Sequence, residues 1–438
     1  MKRFVRPGAF LLLAALLFCL SGCYSGNIDQ YFSLPMASEE YRQLQSLIDE
    51  ELASGSEYAA PIHGSYRQSV QLSDVDGDGA DEALAFFRDA AKNPKINIYD
   101  SENGEHRLAL SISGEGSSIG RIDYADLTGD GQKELLVSWQ ISSGLSVLGV
   151  YSLAGWSGDV LLSTDSAEFV TGDINRDGCD ELLNLRAANS TTYLVDQYTF
   201  PLGQEPQATS AALSAGISAL QRLRMVTLAG DAPALLAEST LTTGDLVSDL
   251  FVCRDGSLIN LTMNRTTQIS ETRRSYSLVY AQDIDGDGST EIPHPQQLYS
   301  RGDEVFWSIA WFRYDASGRA STIMTTYHCV TDNWYLVLPS GWDVGLTVRR
   351  DDSVSGERAV ILSRLRSDGS LEDYAAVYAV TGENRYERAR LDNRFLLQEE
   401  GTTVYAAKIL DGKTDENTIR SRFHVIYTDW SSGSVVGG

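Results

Sequence analysis

Four short segments of this sequence carry oxygen-bearing side chains at the same intervals. Each segment has such a side chain at positions 1, 3, 5 and 9 and a glycine at position 6. The glycine permits a sharp turn that would fold these side chains inward. The segments are residues 74–82, 126–134, 173–181 and 283–291. This arrangement predicts tight loops that fold around a hard cation.

The expected cation is calcium, which takes about six to eight oxygen ligands and tolerates irregular geometry, whereas magnesium demands an octahedral shell. The predicted ligands are the side chains at positions 1, 3, 5 and 9 and the main-chain carbonyl at position 7. They are Asp74, Asp76, Asp78, Ala80 and Glu82; Asp126, Thr128, Asp130, Gln132 and Glu134; Asp173, Asn175, Asp177, Cys179 and Glu181; and Asp283, Asp285, Asp287, Ser289 and Glu291. We predict up to four calcium ions, each with a structural role.

The four loops are not expected to bind calcium equally. The 74 and 283 loops offer four carboxylates each, whereas Thr128 and Asn175 replace one carboxylate in the other two loops. Each replacement keeps an oxygen but removes a negative charge, so we expect weaker binding in the 126 and 173 loops.

The loops recur at a regular interval along the chain. Their first positions are 52, 47 and 110 residues apart, and a degenerate copy without ligands, Thr227–Ala232, lies near the middle of the longest interval. Four short strand-like runs form each unit, with the loop between the first two runs. A period near 50 residues with about four strands per unit indicates a β-propeller rather than a sandwich.

We therefore predict an all-β fold, a seven-bladed β-propeller of four-stranded antiparallel blades over residues 58–430. The sixth unit (334–380) and the seventh (395–427) are expected without metal loops, and either the region before Gln68 or the final strand is expected to close the ring. A short N-terminal amphipathic helix should precede the propeller, because apolar residues recur at helical spacing between Ser38 and Gly55. Residues 431–438 form a C-terminal tail.

The loops, their place between the first two strands and their spacing resemble FG-GAP/VCBS repeats, the family that includes the propeller of integrin α-subunits. The resemblance covers residues 58–300 and extends less specifically to the rest. It implies a calcium-binding propeller. The family usually has aspartate at position 9, whereas all four loops here have glutamate.

The first 22 residues have the features of a signal peptide. Lys2, Arg3 and Arg6 precede a short apolar core, which ends in Leu20-Ser21-Gly22-Cys23 and resembles a bacterial lipobox. The resemblance implies lipidation of Cys23 and a lipid-anchored protein on the extracytoplasmic side of a bacterial cell membrane. Residues 23–57 would then be the tether and helix. The alternative is an ordinary secretory peptide with a chance cysteine.

Composition excludes several function classes. A net charge of -25 argues against nucleic acid as a partner, because a nucleic-acid binder needs a basic face. The cysteines at 179, 253 and 329 lack the spacing of zinc sites, and we interpret them as small apolar residues with at most one disulfide. The five histidines show no paired metal spacing, and no P-loop or Gly-x-Ser-x-Gly motif occurs, so no catalytic residue is predicted.

The function predicted from these features is a binding or scaffold module for an envelope protein, peptide or glycan on a propeller face. Tryptophans and tyrosines between 299 and 342 are expected mainly in the core, and a few could line a ligand groove. Two alternatives remain open. One is a polysaccharide-active, lyase-like enzyme on a calcium-loop propeller, and the other is a purely structural component of envelope assembly.

Overall fold

The structure, a computed structural model, describes residues 39–102, 105–300 and 302–426. Over these ranges the chain is an all-β protein with six antiparallel sheets of four or five strands and one two-stranded hairpin. The predicted signal segment, Cys23, Ser38 and the predicted tail lie outside the described residues. Within those ranges, no helix has the length and apolar character needed to cross a membrane.

Helices are short and few in the described part of the chain. The α-helices are α1 (Glu39–Ala53), α2 (Arg385–Arg388) and α3 (Glu416–Arg420), and three 3-10 turns span Ala154–Trp156, Val330–Asp332 and Leu391–Asn393. Leu44 and Ile48 lie four residues apart on one face of α1 and are buried.

The first three sheets follow the chain in order. Sheet 1 contains β1 (Glu57–Tyr58), β2 (Val70–Ser73), β3 (Glu82–Arg88), β4 (Pro94–Glu102) and β5 (Glu105–Ser113). Sheet 2 contains β6 (Ser118–Ala125), β7 (Glu134–Ser142), β8 (Leu145–Tyr151) and β9 (Val160–Ser166). Sheet 3 contains β10 (Glu168–Gly172), β11 (Glu181–Ala187), β12 (Tyr193–Thr199) and β13 (Gln207–Ala212).

Sheet 4 also follows the chain in order, whereas sheets 5 and 6 do not. Sheet 4 contains β14 (Ile217–Leu228), β15 (Ala232–Leu241), β16 (Leu246–Arg254) and β17 (Ser257–Asn260), and a hairpin of β18 (Met263–Asn264) and β19 (Ile269–Ser270) follows. Sheet 5 contains β20 (Glu291–Gln297), β21 (Trp307–Tyr314), β22 (Ala320–Cys329), β23 (Trp334–Val337) and β29 (Phe423–Val425). Sheet 6 contains β24 (Leu346–Asp351), β25 (Glu357–Leu365), β26 (Leu371–Val380), β27 (Phe395–Glu400) and β28 (Thr403–Ile409).

Consecutive sheets pack face to face, and their second strands are buried on both sides. In β3, Leu84 and Phe86 pack against sheet 2, whereas Ala83, Ala85 and Phe87 pack against α1. The split follows from strand geometry, because successive side chains point to opposite faces. Similar apolar clusters join sheets 2 and 3, 3 and 4, 4 and 5, and 5 and 6. This serial packing is consistent with a propeller-like fold.

The two ends of the series are covered by helical segments. On sheet 1 the outer apolar face packs against α1. On sheet 6, the small cluster that includes Val380, Val404 and Ala406 packs against Ala389, which follows α2. Neither cluster contains a residue of the opposite terminal sheet. Each end therefore has a helical cover where a neighbouring sheet would otherwise be needed.

The prediction of separate sixth and seventh units is wrong for the described residues. Trp334–Val337 is the fourth strand of sheet 5, and Phe395–Glu400 and Thr403–Ile409 complete sheet 6. The final strand, Phe423–Val425, pairs with β23 at the edge of sheet 5 and does not join sheet 1. The sequence pattern indicated strands in these segments but not the sheets to which they belong, because sheet membership depends on pairing between residues far apart in the chain.

Candidate metal centre in the acidic loops

Each of the four acidic loops leads directly into a strand. The strands β3, β7 and β11 follow an earlier strand of the same sheet, whereas β20 is the first strand of sheet 5, and Gln282 forms only an isolated bridge with Glu291. Position 9 is the first residue of that strand in each case: Glu82 opens β3, Glu134 opens β7, Glu181 opens β11 and Glu291 opens β20. The degenerate copy instead forms the tight turn between β14 and β15, with Asp231 at a positive φ. Loss of the ligands thus accompanies a shorter connection.

The four glutamates at position 9 have the same structural role. Each is buried. In each, Oε2 accepts the backbone N–H of position 2, at 3.0 Å from Val75, 2.9 Å from Leu127, 3.1 Å from Ile174 and 3.2 Å from Ile284. This bond accounts for glutamate at position 9, because one carboxylate oxygen holds the loop backbone while Oε1 faces the other side chains of the loop.

Backbone amides within the loops hold the other acidic side chains. Asp74 accepts the N–H groups of Gly77 at 2.8 Å and Gly79 at 3.2 Å, and Asp78 accepts the N–H of Ala80 at 2.7 Å. The same position-5 to position-7 bond recurs in the other three loops, with N–H donors from Gln132, Cys179 and Ser289. These local bonds shape the loops and orient the carboxylates.

The 74 loop provides the strongest concentration of acidic oxygens. Carboxylate oxygens of Asp74, Asp76 and Asp78 lie within 4.8 Å of one another, and so do those of Asp76, Glu82 and Asp100. Oε1 of Glu82 is buried and has no hydrogen-bond partner. Burial, together with the charges of Asp76, Asp78 and Asp74, raises the pKa of Glu82 to about 7. A divalent cation would satisfy this oxygen, so these residues fit calcium.

Asp100 is a member of this cluster that sequence reasoning missed. It lies on β4, directly across from Glu82 by the register that pairs Ala83 with Tyr99. Its carboxylate also accepts two bonds from Arg107, at 3.1 Å and 2.7 Å. The hairpin register was the only signal that could have identified it.

In the 126 loop, a hydroxyl group faces the position-9 glutamate. Oγ1 of Thr128 donates to Oε1 of Glu134 over 3.4 Å, and burial raises the pKa of Glu134. Asp126 and Asp130 keep their backbone bonds. The oxygen expected from Thr128 is therefore present, with fewer carboxylates around it than in the 74 loop.

In the 173 loop, an amide group takes this place. The Nδ2 group of Asn175 donates to Asp177 at 2.9 Å and to Oε1 of Glu181, while its Oδ1 accepts the backbone N–H of Asp177 at 2.7 Å. Burial raises the pKa of Glu181 to about 7. Asn175 thus presents N–H groups rather than an oxygen to the carboxylates. Within the described residues, neither this loop nor the 126 loop gathers three acidic ligand atoms.

The 283 loop already contains a positive charge. Asp283, Asp285 and Glu291 have carboxylate oxygens within 4.8 Å of one another. Arg313 on β21 lies among them: its Nε donates to Glu291 at 2.8 Å, and its Nη2 is 2.8 Å from both Asp285 and Asp287. Hydrogen bonding to Glu291 is the largest cause of the raised pKa of Arg313. These residues, unlike those of the 74 loop, do not fit a metal ion.

Neighbouring loops contact one another through position 8. The backbone N–H of Lys133 donates to the Val75 carbonyl at 3.4 Å, and that of Asp180 donates to the Asp126 carbonyl at 3.3 Å. The N–H of Thr290 reaches the carbonyl of Thr227 in the degenerate copy at 2.8 Å. The loops therefore lie side by side at one end of the sheets, and ordering one loop would support the next.

A polar cleft lies at the other end of sheet 2. It has a volume of about 610 Å³ and is bounded by the β7–β8 turn, the start of β10 and the segment before β2. Its lining includes His63, Arg67, Arg121, Gln140 and Glu168. Arg121 is held by Glu168 and Asp123, each at 2.8 Å, and by the Phe169 carbonyl at 2.9 Å.

The aromatic residues between 299 and 342 lie mostly in the core, as the sequence predicts. Trp311, Trp334, Trp342, Tyr314 and Tyr327 are buried in the core, while Tyr299 is exposed. The cysteines at 179, 253 and 329 are free thiols in the described part of the chain, and only Cys329 is buried.

Comparison with known proteins gives little help. No family model matches the sequence, and no curated protein matches it. A candidate 6-phosphogluconolactonase from Bacteroides uniformis ATCC 8492 is 12% identical with a TM-score of 0.27, over 68% of this chain and 82% of that one. Another from Bacteroides fragilis NCTC 9343 is 12% identical with a TM-score of 0.26, over 73% and 92% of the respective chains. Likenesses at these TM-scores do not bear on the function of this chain.

Proposed function

We propose that this protein is a calcium-fastened binding or scaffold module, anchored outside the cytoplasm of a bacterial cell. The observation that carries the calcium proposal is the buried Oε1 of Glu82, which lacks a partner among the carboxylates of the 74 loop. Asp74, Asp76, Asp78 and Glu82 would hold the ion. Calcium would replace their mutual repulsion with attraction and tie the loop to the start of β3.

The proposal includes a propeller-like arrangement of FG-GAP/VCBS type. Support comes from the four acidic loops, each of which leads directly into a buried strand, and from the serial face-to-face packing of the sheets. We propose six blades over the described residues. Calcium is then a fastener of individual blades, as the spacing of the loops predicts.

Membrane attachment remains a proposal from the sequence. The lipobox-like residues that end at Cys23 support lipidation, and the separate helix and sheets from Glu39 onwards would form the exposed body. Labelling cells with a radioactive fatty acid should mark the wild-type protein but not a Cys23→Ser variant. Equal labelling of the two proteins would contradict lipid anchoring.

Calcium titration of thermal unfolding tests the proposed ion. Chelation with EDTA should lower the melting temperature of the wild-type protein, and added calcium should restore it. Asp76→Asn should weaken this calcium response, because Asp76 belongs to both acidic groups of the 74 loop. Asp81→Asn is the matched control, since Asp81 is exposed and belongs to neither group. A melting temperature indifferent to EDTA would refute the proposal.

The polar cleft is the proposed site for a peptide or glycan of the envelope. Its hydroxyl, amide and guanidinium groups can form hydrogen bonds with such ligands. Crosslinking in intact cells should recover a specific partner with the wild-type protein and much less of it with Arg67→Ala, which changes an exposed residue of the cleft. Equal recovery with the variant would exclude the cleft.

A polysaccharide-active enzyme is the less favoured candidate. The cleft contains His63, Arg67 and Arg121, which are residue types that a lyase could use. However, Arg121 is committed to Glu168, Asp123 and a backbone carbonyl. The geometry of the cleft therefore favours binding over catalysis.

A further inference from the structure

We propose that Arg313 is the resident cation of the 283 loop, so that this loop is fastened without a metal ion. The inference deepens the calcium proposal for the 74 loop and rests on it in part. It assigns two opposite means of neutralisation to loops whose acidic positions are identical in charge: a bound ion in the 74 loop and an internal guanidinium in the 283 loop.

The contrast arises at one structurally equivalent position, the residue that lies opposite position 9 on the next strand along the chain. By strand register this residue is Asp100 for the 74 loop, because Ala83 pairs with Tyr99. Register places Ser152 and Thr199 there for the 126 and 173 loops, since Leu135 pairs with Tyr151 and Leu182 with Tyr198. In the 283 loop, Glu291 pairs directly with Arg313. The series is thus acidic, neutral, neutral and basic.

Arg313 provides what a cation would provide in the 283 loop. It contacts Glu291, Asp285 and Asp287, each at 2.8 Å. Its side chain is 21% exposed and that of Glu291 is fully buried, so the pairing is shielded from water at its inner end. A planar guanidinium that binds several carboxylates is a strong, directional partner. A calcium ion would have to displace it and overcome its positive charge.

The hydrogen-bond partners of Oε1 in the position-9 glutamates independently support the distinction between the 74 and 283 loops. In the 283 loop this oxygen accepts the Nε–H of Arg313, and in the 126 and 173 loops it accepts from Thr128 and Asn175. In the 74 loop it has no partner, and the carboxylate of Asp100 lies nearby. The 74 loop, which lies beside Asp100, therefore retains a carboxylate oxygen that could bind an ion. In the 283 loop the equivalent oxygen is already bonded to Arg313.

The test is the number of calcium ions bound by the purified full chain, measured by equilibrium dialysis for wild type and variants. Arg313→Thr, which installs the residue type found at 199, should gain one ion. Arg313→Lys keeps a positive charge and should gain none. Asp285→Asn should lose no ion, whereas Asp76→Asn should lose one.

Two results would overturn the inference: loss of an ion in Asp285→Asn, or no gain in Arg313→Thr. If Arg313→Thr folds only with calcium, the inference is supported. If that variant does not fold at all, hydrogen exchange of the wild-type protein decides, because calcium should protect residues 74–82 and leave 283–291 unchanged. Protection of 283–291 would overturn the inference. Asp76→Asn reports separately on the calcium proposal for the 74 loop.

Discussion

The 74 and 283 loops have the same acidic residues at positions 1, 3, 5 and 9 but different surroundings. Both glutamates at position 9 are buried and hold the backbone N–H of position 2. Asp100 faces the first, and Arg313 faces the second. The same loop motif therefore lies beside an acidic residue in one case and a basic residue in the other, and we propose that the neighbouring strand determines which cation compensates its charge.

The difference has energetic consequences. A buried carboxylate without a compensating charge is costly, and removing one partner of a buried pair exposes that cost. The 283 loop carries its compensation in the covalent chain, so its stability should be independent of calcium concentration. If calcium compensates the 74 loop, as we propose, the stability of this loop should rise with calcium concentration by mass action.

The largest expected effect comes from Asp100→Arg, which would give the 74 loop the charge pattern of the 283 loop. We expect calcium affinity at this loop to fall by about 100-fold or more, because an added positive charge within a few ångströms opposes the ion. Calorimetric titration of the wild-type and variant proteins would measure the change. Asp100→Asn is the control and should weaken binding much less. An unchanged calcium affinity in Asp100→Arg would show that the residue opposite position 9 does not control calcium binding.

The second prediction is that the same substitution at two equivalent glutamates, Glu291 and Glu82, has opposite dependence on calcium. Glu291→Gln removes the buried partner of Arg313 and should lower the free energy of unfolding by about 2 kcal/mol, with or without calcium. Glu82→Gln should have little destabilising effect in EDTA, because it removes a charge that burial and its acidic neighbours disfavour. It should instead abolish much of the stabilisation by calcium. Denaturant unfolding in EDTA and in calcium would reveal both changes, and equal behaviour of the two variants would refute the distinction.

Much of the loop structure could be predicted from the sequence. The positions of the acidic side chains, the turn glycine and the connection to the following strand all follow from short-range spacing, which local chemistry determines. Thr128, which the spacing places at position 3, lies close to its glutamate, with its hydroxyl 3.4 Å from Oε1 of Glu134. The degenerate copy at Thr227 forms a short turn that still contacts the 283 loop through Thr290.

What could not be predicted depends on pairing between strands. Asp100 and Arg313 each lie on the strand that follows the position-9 strand, and they reach the loops only through the register of a hairpin. A one-residue error in register would turn either side chain to the opposite face. The same limit explains the wrong assignment of Trp334–Val337 to a separate unit, because that segment completes sheet 5 beside a strand from the end of the described chain.

A smaller effect should come from making the 126 loop more like the 74 loop. Thr128→Asp adds the missing carboxylate opposite Glu134, so calcium affinity at this loop should rise by about tenfold. In EDTA the same variant should be less stable than wild type, because repulsion within the loop increases. Asp130→Asn is the opposite control and should weaken binding. Calcium-dependent hydrogen exchange of residues 126–134 would show a shift in affinity in each direction, and no shift would indicate that this loop does not bind the ion.

The last prediction concerns a buried histidine of sheet 5, which should make stability depend on pH without involving either acidic loop. His328 is buried beside the rings of Trp311 and Tyr335, at centroid distances of 6.0 Å and 5.2 Å, and burial lowers its pKa from 6.5 to about 3. Between these two values the unfolded chain binds the extra proton, so stability should fall as pH decreases from 6.5 towards 3, by at most about 1.4 kcal/mol per pH unit. His328→Phe should reduce this slope without changing the calcium response of either loop. An equal slope in wild type and variant would contradict the assignment of this pH dependence to His328. Glu291 would not account for it, because burial raises the pKa of Glu291 and a raised pKa in the folded state makes stability rise as the pH falls.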